Sequence, residues 1–224
     1  MIDFYQVWHN ADYIDKKAPS AKYLNLSEFK YPELKCGLDI QEYKVYQIPN
    51  EYFNSDNEYI GFASSRWSEK FPSAPTIEYL LTSFKSCPPK DRFWHSLITA
   101  QPHWIEHMTH FHKGLLSYIL EGAGVLGITP HQLNNQALPM CNSFICRKDL
   151  FFEAKAKMNH MFDFYEQNFE HKFDFADNGY AERVLGCFYE RVLMIVLASC
   201  NNVRFINPIM YWEWASNAQQ PPGG

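Results

Sequence analysis

The stretch EYIGFASSRWSEKF, residues 58–71, brings two hydroxyls and two cations to the end of an apolar segment. Its first half is rich in small residues, which let a ligand approach the backbone closely. Arg66 presents a planar fork of donors that suits phosphate, and Lys70 adds a point charge. Because ligands of α/β sheets bind beyond the carboxyl ends of strands, we interpret Ser64, Ser65 and Arg66 as the rim of an anion site. The alternative interpretation is a strand that ends in a solvated turn.

Three carboxylates are candidates for a general base. Asp174 and Asp177 lie in the acidic turn DFADN. Aspartate is also typical of turns and helix N-caps, which is the favoured interpretation of this turn. Glu190 stands beside Arg191 in a segment that is otherwise apolar. Charged side chains are rarely buried unless they are paired. The pair therefore either locks a helix to the sheet or faces a polar cleft.

A histidine-rich segment, HWIEHMTHFH, offers a different chemistry. His103, His107 and His110 lie on one face of a predicted helix, and this spacing can bind zinc. The glutamate precedes the second histidine, so the metalloprotease pattern HExxH is absent. A half-exposed helix is the favoured interpretation, and a His-ligated metal-dependent hydrolase is the alternative.

Composition narrows the class of protein. The chain has 224 residues, is 46% hydrophobic and 17% aromatic, and carries a net charge of -5. We expect one domain over residues 1–216 and a flexible Pro- and Gly-rich tail over residues 217–224. No strongly basic segment occurs, so no nucleic-acid partner is predicted. The sequence predicts no signal peptide and no transmembrane segment. Cysteines without a CxxC pattern favour free thiols and a cytoplasmic location.

The elements that must position these residues follow from periodicity and from turn residues. Strands are predicted within residues 1–10, 58–71, 140–147 and 203–214, and a strand or strand-like connection is predicted at 41–50. Helices are predicted within residues 71–89, after Thr129 and Pro130, at 148–171 and at 179–200. Residues 15–37 read as a loop, and residues 90–124 as two helical segments joined near Gln101. This order predicts an α/β fold with a small, mostly parallel sheet flanked by several helices and a helix-rich C-terminal half.

Five stretches, in order from residue 2 to about residue 197, carry a family resemblance: FYQVWHN, EYIGFASSRWSEKF, FHKGLLSYILEGAGVLG, CNSFICRKDLF and ERVLGCFYERVLMIVLA. Together they resemble glycosyltransferases and glycosyltransferase-like domains of bacterial surface-polysaccharide clusters and large DNA viruses. Those domains have a GT-A-like fold and use a nucleotide-activated sugar. The resemblance implies a hexosyltransferase-type enzyme of polysaccharide biosynthesis. Its partners would be a nucleotide-sugar donor and a glycan or other hydroxyl acceptor.

The resemblance also implies roles for individual residues. The donor side comprises the first strand, the strand that ends near residue 65 and the cation that follows it: Tyr5, Gln6, Trp8, Ser64, Ser65, Arg66 and Lys70. The acceptor side comprises Asn142, Glu190 and Arg191. In the reaction, an acceptor hydroxyl attacks the anomeric carbon, and Asp174, Asp177 or Glu190 takes its proton.

One departure from the family concerns the metal. Most GT-A enzymes hold Mn²⁺ or Mg²⁺ with an Asp-x-Asp motif, and this sequence contains none. We interpret Arg66 and Lys70 as cations that neutralise the diphosphate directly, which is electrostatic stabilisation without a metal. Mn²⁺ or Mg²⁺ held by scattered carboxylates is one alternative. A non-catalytic carbohydrate- or nucleotide-binding domain of the same fold is another.

Overall fold

The computed structural model describes residues 1–8, 17–29, 41–70, 75–97, 99–100, 114–134, 138–139, 141–169 and 184–200. The strands are β1 (Ile2–Trp8), β2 (Lys22–Asn25), β3 (Tyr59–Ser64), β4 (Trp94–Ser96), β5 (Thr99–Ala100), β6 (Leu138–Pro139) and β7 (Phe144–Arg147). The α-helices are α1 (Trp67–Lys70), α2 (Ile77–Ser86), α3 (Leu116–Val125), α4 (Pro130–Asn134), α5 (Lys148–Phe169) and α6 (Val184–Ser199). Short 3-10 helices cover Leu26–Glu28, Gln41–Gln47, Asn50–Phe53 and Pro89–Asp91.

A five-stranded sheet with the order β2-β1-β3-β7-β4 forms the centre of the fold. Strand β1 pairs in parallel with β2 on one side and with β3 on the other. Strand β7 pairs antiparallel with both β3 and β4, so it runs opposite to the other strands of this sheet. The predicted α/β class is confirmed, and the sheet is mixed. Strands β5 and β6 form a separate antiparallel pair.

Both faces of the sheet are covered, because alternate residues of β1 and β3 project to opposite sides. On one face, Tyr5 and Phe62 belong to a large core built with α3, α5, α6 and the 3-10 helix Gln41–Gln47. On the other face, Phe4 and Ala63 pack with helix α2. Each large apolar side chain buried in this way stabilises the fold by about 1.5–3 kcal/mol.

Helix boundaries follow from caps that the sequence contains. The Thr76 hydroxyl accepts a hydrogen bond from the backbone N–H of Tyr79 (3.3 Å) at the start of α2. The Thr129 hydroxyl accepts one from the N–H of Gln132 (3.3 Å), and Pro130 is the first residue of α4. The predicted helices at these positions are therefore confirmed, together with the two long helices α5 and α6.

The structure corrects three predicted elements. Strand β2 lies inside residues 15–37, which were predicted to be a loop. Residues 41–47 form a 3-10 helix, so the predicted strand there was wrong. Residues 94–96 form β4, where the first of two helical segments was predicted. Short aromatic segments such as these fit strand and helix patterns equally well, and pairing with a neighbour decides between them.

Several predictions lie outside the described residues: Asp174, Asp177, His103, His107, His110, the closing strand at 203–214 and the tail at 217–224. Over the ranges given above, no helix combines the length and the apolar character needed to cross a membrane. Among the same residues, the thiols of Cys87, Cys146 and Cys200 are free.

Candidate binding site at the carboxyl edge of the sheet

The carboxyl ends of β1 and β3 lie side by side at the point where the strand order reverses. The chain leaves β1 for β2 on one side and returns to β3 on the other. Val7 is paired with Ser64, and the backbone N–H of Ser65 donates to the carbonyl of Val7 (2.9 Å). Open α/β sheets bind ligands in the crevice at such a switch point. The structure thus brings Trp8 together with Ser64, Ser65 and Arg66, which are distant in sequence.

Ser64, the last residue of β3, and the two residues after it, Ser65 and Arg66, form a polar rim. Ser64 and Ser65 are buried, whereas Arg66 is exposed. The Ser64 hydroxyl accepts a hydrogen bond from the backbone N–H of Arg66 (3.3 Å) and so shapes the turn. Lys70 is the last residue of the short helix α1.

This rim fits an anion better than a divalent cation. Mn²⁺ and Mg²⁺ prefer carboxylate oxygens. The position where the resemblance expects an acidic pair holds the hydroxyls of Ser64 and Ser65 and the guanidinium of Arg66 instead. Within the described part of the chain, no three His, Cys, Asp or Glu side chains lie together as a metal site.

A strained turn lies at the same edge, because β7 runs antiparallel and begins where β3 ends. Cys141 and Asn142 have φ angles of 57° and 45°, a left-handed conformation that residues other than glycine rarely adopt. One carboxylate oxygen of Glu190 accepts a hydrogen bond from the Cys141 N–H (2.5 Å). The other accepts one from the guanidinium of Arg191 (2.5 Å). Strain that is held by buried contacts is characteristic of functional sites.

Asn142 joins this turn to the 3-10 helix Gln41–Gln47. Its side-chain amide donates to the carbonyl of Glu42 (3.0 Å), and its amide oxygen accepts from the hydroxyl of Tyr46 (2.8 Å). The predicted acceptor-side residues Asn142, Glu190 and Arg191 are therefore brought together, and all are buried. Glu190 accepts from the backbone of Cys141, and Asn142 ties the turn to the 3-10 helix, so both residues shape the turn.

Buried polar atoms without a hydrogen-bond partner occur near this edge. Among the described residues, they include the indole nitrogen of Trp8, the hydroxyl of Tyr43 and the hydroxyl of Ser96. Trp8 ends β1, Ser96 ends β4, and Tyr43 lies near enough to Glu190 and Cys141 to interact with them electrostatically. Each buried polar group without a partner lowers the stability of the folded state by about 1–3 kcal/mol. The remaining such atoms belong to Gln47, Trp94, His95 and Arg191.

Two predicted donor residues have other roles in the fold. Tyr5 is buried in the middle of β1, and its ring stacks on Phe62 at 5.5 Å. The side-chain oxygen of Gln6 accepts a hydrogen bond from the backbone N–H of Ala18 (2.6 Å), which ties β1 to the segment before β2. The structure therefore places neither residue on the polar rim.

The small residue Gly61 is explained by packing. A Cβ atom at Gly61 would lie 2.6 Å from a ring carbon of Phe4. The sequence predicted that a ligand approaches the backbone at the small residues of this stretch. At Gly61, the ring of Phe4 on the neighbouring strand β1 occupies that space instead. The candidate ligand-binding part of the stretch 58–71 therefore begins at Ser64.

Comparison with known proteins gives no assignment. No protein-family model, no curated protein and no solved structure matches this chain. Because a fold by itself does not fix a function, the function has to be inferred from the residues at the edge of the sheet.

Proposed function

We propose that this protein is a glycosyltransferase that moves a sugar from a nucleotide-activated donor to a hydroxyl acceptor. One observation supports this proposal most strongly. The polar rim Ser64–Arg66 and the end of β1 meet at a topological switch point. The strained turn at Cys141 and Asn142 begins β7 at the same edge. Parallel strands with such a crevice are the arrangement in which α/β domains bind nucleotides, and the GT-A-like fold is part of the proposal.

On the donor side, the guanidinium of Arg66 is the group suited to the diphosphate. It is exposed at the end of β3, and bidentate bonding to phosphate is its characteristic interaction. Charge develops on the leaving diphosphate as the glycosidic bond breaks, and a fixed cation stabilises that charge. Lys70 is proposed as a second cation, and the unpaired indole N–H of Trp8 is a donor for the base or ribose.

On the acceptor side, the proposed reaction is a displacement. The acceptor oxygen forms a bond to the anomeric carbon, while the bond from that carbon to the phosphate oxygen breaks. The electron pair leaves with the nucleoside diphosphate, and the acceptor proton passes to a carboxylate. Both oxygens of Glu190 are already hydrogen-bonded, which favours a positioning role for it. We therefore propose Asp174 or Asp177 as the proton acceptor.

The first test is thermal unfolding with UDP-, GDP-, TDP- and CMP-sugars, with and without Mn²⁺. A ligand present at 100 times its dissociation constant stabilises the native state by about 2.7 kcal/mol. For a chain of this length we expect the midpoint to rise by about 5 °C or more with one nucleotide class. Arg66→Ala should abolish most of this shift because it removes the cation that contacts the diphosphate.

Arg147→Ala is the matched control. Arg147 is another partly exposed arginine, but it ends β7 at the opposite edge of the sheet, where it pairs with Asp149. The control should keep the full shift. Equal losses in the two variants, or no shift with any nucleotide-sugar, would contradict the proposal. A shift without turnover would instead identify a non-catalytic binding domain, and a shift that requires Mn²⁺ would overturn the metal-free donor site.

A further inference from the structure

A cavity of about 250 Å³ lies at the amino edge of the sheet, on the face that helix α2 covers. Six residues line it: Met1, Ile2, Tyr59, Phe84, Lys85 and Arg92. Its floor is aromatic, because the buried rings of Tyr59 and Phe84 meet edge to face with 5.3 Å between their centroids. It opens to solvent, since Met1 and Lys85 are exposed. A cavity of about 150 Å³ holds benzene, and drug-sized ligands need about 300–1,000 Å³. This one therefore suits a single aromatic ring with a short side chain.

Two cations belong to the lining of this cavity. The exposed ammonium of Lys85 has no ion-pair partner in the part of the chain that the structure describes. The guanidinium of Arg92 donates hydrogen bonds to the carbonyls of Cys87 (2.7 Å) and Lys85, which hold it at the end of α2. Its central carbon also lies 5.9 Å from the centre of the Tyr59 ring. These contacts use the Nε and Nη2 atoms of Arg92, and its Nη1 atom has no hydrogen-bond partner among the described residues.

The rest of the fold offsets only part of this positive charge. The C-terminus of a helix carries about half a negative charge, whereas Lys85 and Arg92 carry one full positive charge each. The buried carboxylate of Asp3 lies at the same edge, but the next residue of a strand projects to the opposite side of the sheet from its neighbour. Asp3 is also already paired with Lys22 and Lys148. The cavity therefore has an excess of positive charge beside an aromatic floor.

We propose that this cavity binds a small aromatic anion, a single ring that carries a carboxylate or a phosphate group. The ring packs on Tyr59 and Phe84, since aromatic groups favour edge-to-face and offset contacts with one another. The anionic group contacts the ammonium of Lys85 and the Nη1 atom of Arg92 through charge-assisted hydrogen bonds. Because the guanidinium is already held in place, binding orders few further groups. The inference is independent of the glycosyltransferase proposal, because the cavity lies at the opposite edge of the sheet from the polar rim.

The test is an NMR titration of the isotope-labelled protein with phenylacetate and with phenyl phosphate. We expect at least one of them to bind with a dissociation constant of about 1 mM or lower and to shift the amide signals of Tyr59, Phe84 and Lys85. Phenylethanol has the ring without the charge and should bind about fivefold more weakly or less. Acetate has the charge without the ring and should cause no saturable shift. The tighter of the two aromatic anions identifies the anionic group.

Lys85→Gln should raise the dissociation constant about fivefold, and Lys90→Gln is the matched control. Both lysines are exposed, and neither has an ion-pair partner among the described residues, but Lys90 does not line the cavity. The control should bind like the wild type. Ile2→Phe places a ring inside the cavity and should abolish binding. Equal losses in the two lysine variants, no binding of either aromatic anion, or amide shifts confined to other parts of the chain would overturn the inference.

Discussion

At the scale of single residues, Glu190 is the centre of the proposed acceptor side. It is 7% exposed, and its carboxylate links the backbone of Cys141 to the guanidinium of Arg191. A left-handed conformation at two successive residues costs free energy, typically about 1–3 kcal/mol each. The hydrogen bond from Cys141 to a charged acceptor offsets part of that cost, since such bonds are stronger than neutral ones.

Glu190→Gln should therefore lower the free energy of unfolding by about 3 kcal/mol, a value typical of breaking a buried ion pair. The amide keeps the size of the carboxylate but removes the charge that Arg191 and Cys141 contact. Urea unfolding followed by circular dichroism measures the change.

Glu153→Gln provides a comparison on helix α5. Glu153 pairs with Lys157 (3.0 Å), and the side chains are 35% and 28% exposed. Exposed pairs of this kind contribute only about 0–1 kcal/mol. If both variants lose the same small amount of stability, the carboxylate of Glu190 does not hold the turn.

Sequence reasoning found some of these residues and missed others for a physical reason. Ser64, Ser65 and Arg66 were predictable because they stand together at the end of a strand, in one continuous stretch of sequence. Tyr43 and Ser96 were not, because their significance depends on which atoms lack a partner after folding. The sequence offered only two weak signals for these residues. Tyr43 and Tyr46 are three residues apart, the spacing of a 3-10 helix, and Ser96 follows a run of aromatic residues.

At the scale of elements, local patterns predicted long helices well and short strands poorly. Helix α5 buries residues at i, i+3, i+4 and i+7 spacing, among them Phe151, Ala154 and Met158, and this pattern was visible in the sequence. The 3-10 helix Gln41–Gln47 has a three-residue period, which places Tyr43 and Tyr46 in a stack. Over only seven residues, the three-residue period of a 3-10 helix is hard to distinguish from the two-residue alternation of a β-strand. Strand β2 was not predicted because it is only four residues long, and its pairing with β1, which the sequence does not reveal, is what makes this segment a strand.

The packing of α3 against α5 requires a glycine, so Gly122→Ala should destabilise the protein. A Cβ atom at Gly122 would lie 1.9 Å from the Tyr165 hydroxyl and 2.8 Å from Met161. Overpacking of this kind costs about 1–3 kcal/mol, which exceeds the gain in helix propensity of about 1 kcal/mol. Chemical denaturation is the measurement.

Gly124→Ala tests the same helix without the clash. No atom lies within 4 Å of a Cβ at Gly124, so this variant should be stabilised by up to about 1 kcal/mol. Adding Tyr165→Phe to Gly122→Ala should recover part of the loss. A Gly122→Ala protein that is as stable as Gly124→Ala would mean that α3 and α5 are not packed this closely.

At the scale of the whole molecule, the two edges of the sheet differ in how well their polar groups are satisfied. At the amino edge, the buried carboxylate of Asp3 accepts hydrogen bonds from Lys22, Ser55, Asn57 (3.0 Å) and Lys148 (3.3 Å). This network connects β1, β2, the segment before β3 and the start of α5. The carboxyl edge holds the unpaired atoms of Trp8, Tyr43 and Ser96. The Asp3 network fastens the fold at the amino edge, and the unpaired atoms at the carboxyl edge are hydrogen-bonding groups that the proposed ligand site would use.

The Asp3 network makes stability depend on pH. Burial alone raises the pKa of Asp3, but the hydrogen bonds from Lys22, Ser55 and Asn57 outweigh burial and hold it well below the ordinary 3.8. A carboxylate with a lowered pKa in the folded state stabilises the protein fully above its unfolded-state pKa. This contribution is lost progressively as the pH falls below about 4.

Asp3→Asn should therefore be less stable than the wild type by about 2 kcal/mol at pH 7, since it removes the buried charge that accepts hydrogen bonds from the half-exposed Lys22 and from Lys148. The difference should shrink steadily between pH 4 and pH 2 as the wild-type carboxylate approaches its own protonation. Urea unfolding of both proteins at half-unit pH intervals measures this difference. A gap that stays the same at pH 7 and pH 2.5 would show that Asp3 contributes by packing and not by charge. In that case the contrast between a satisfied amino edge and an unsatisfied carboxyl edge would lose its electrostatic basis.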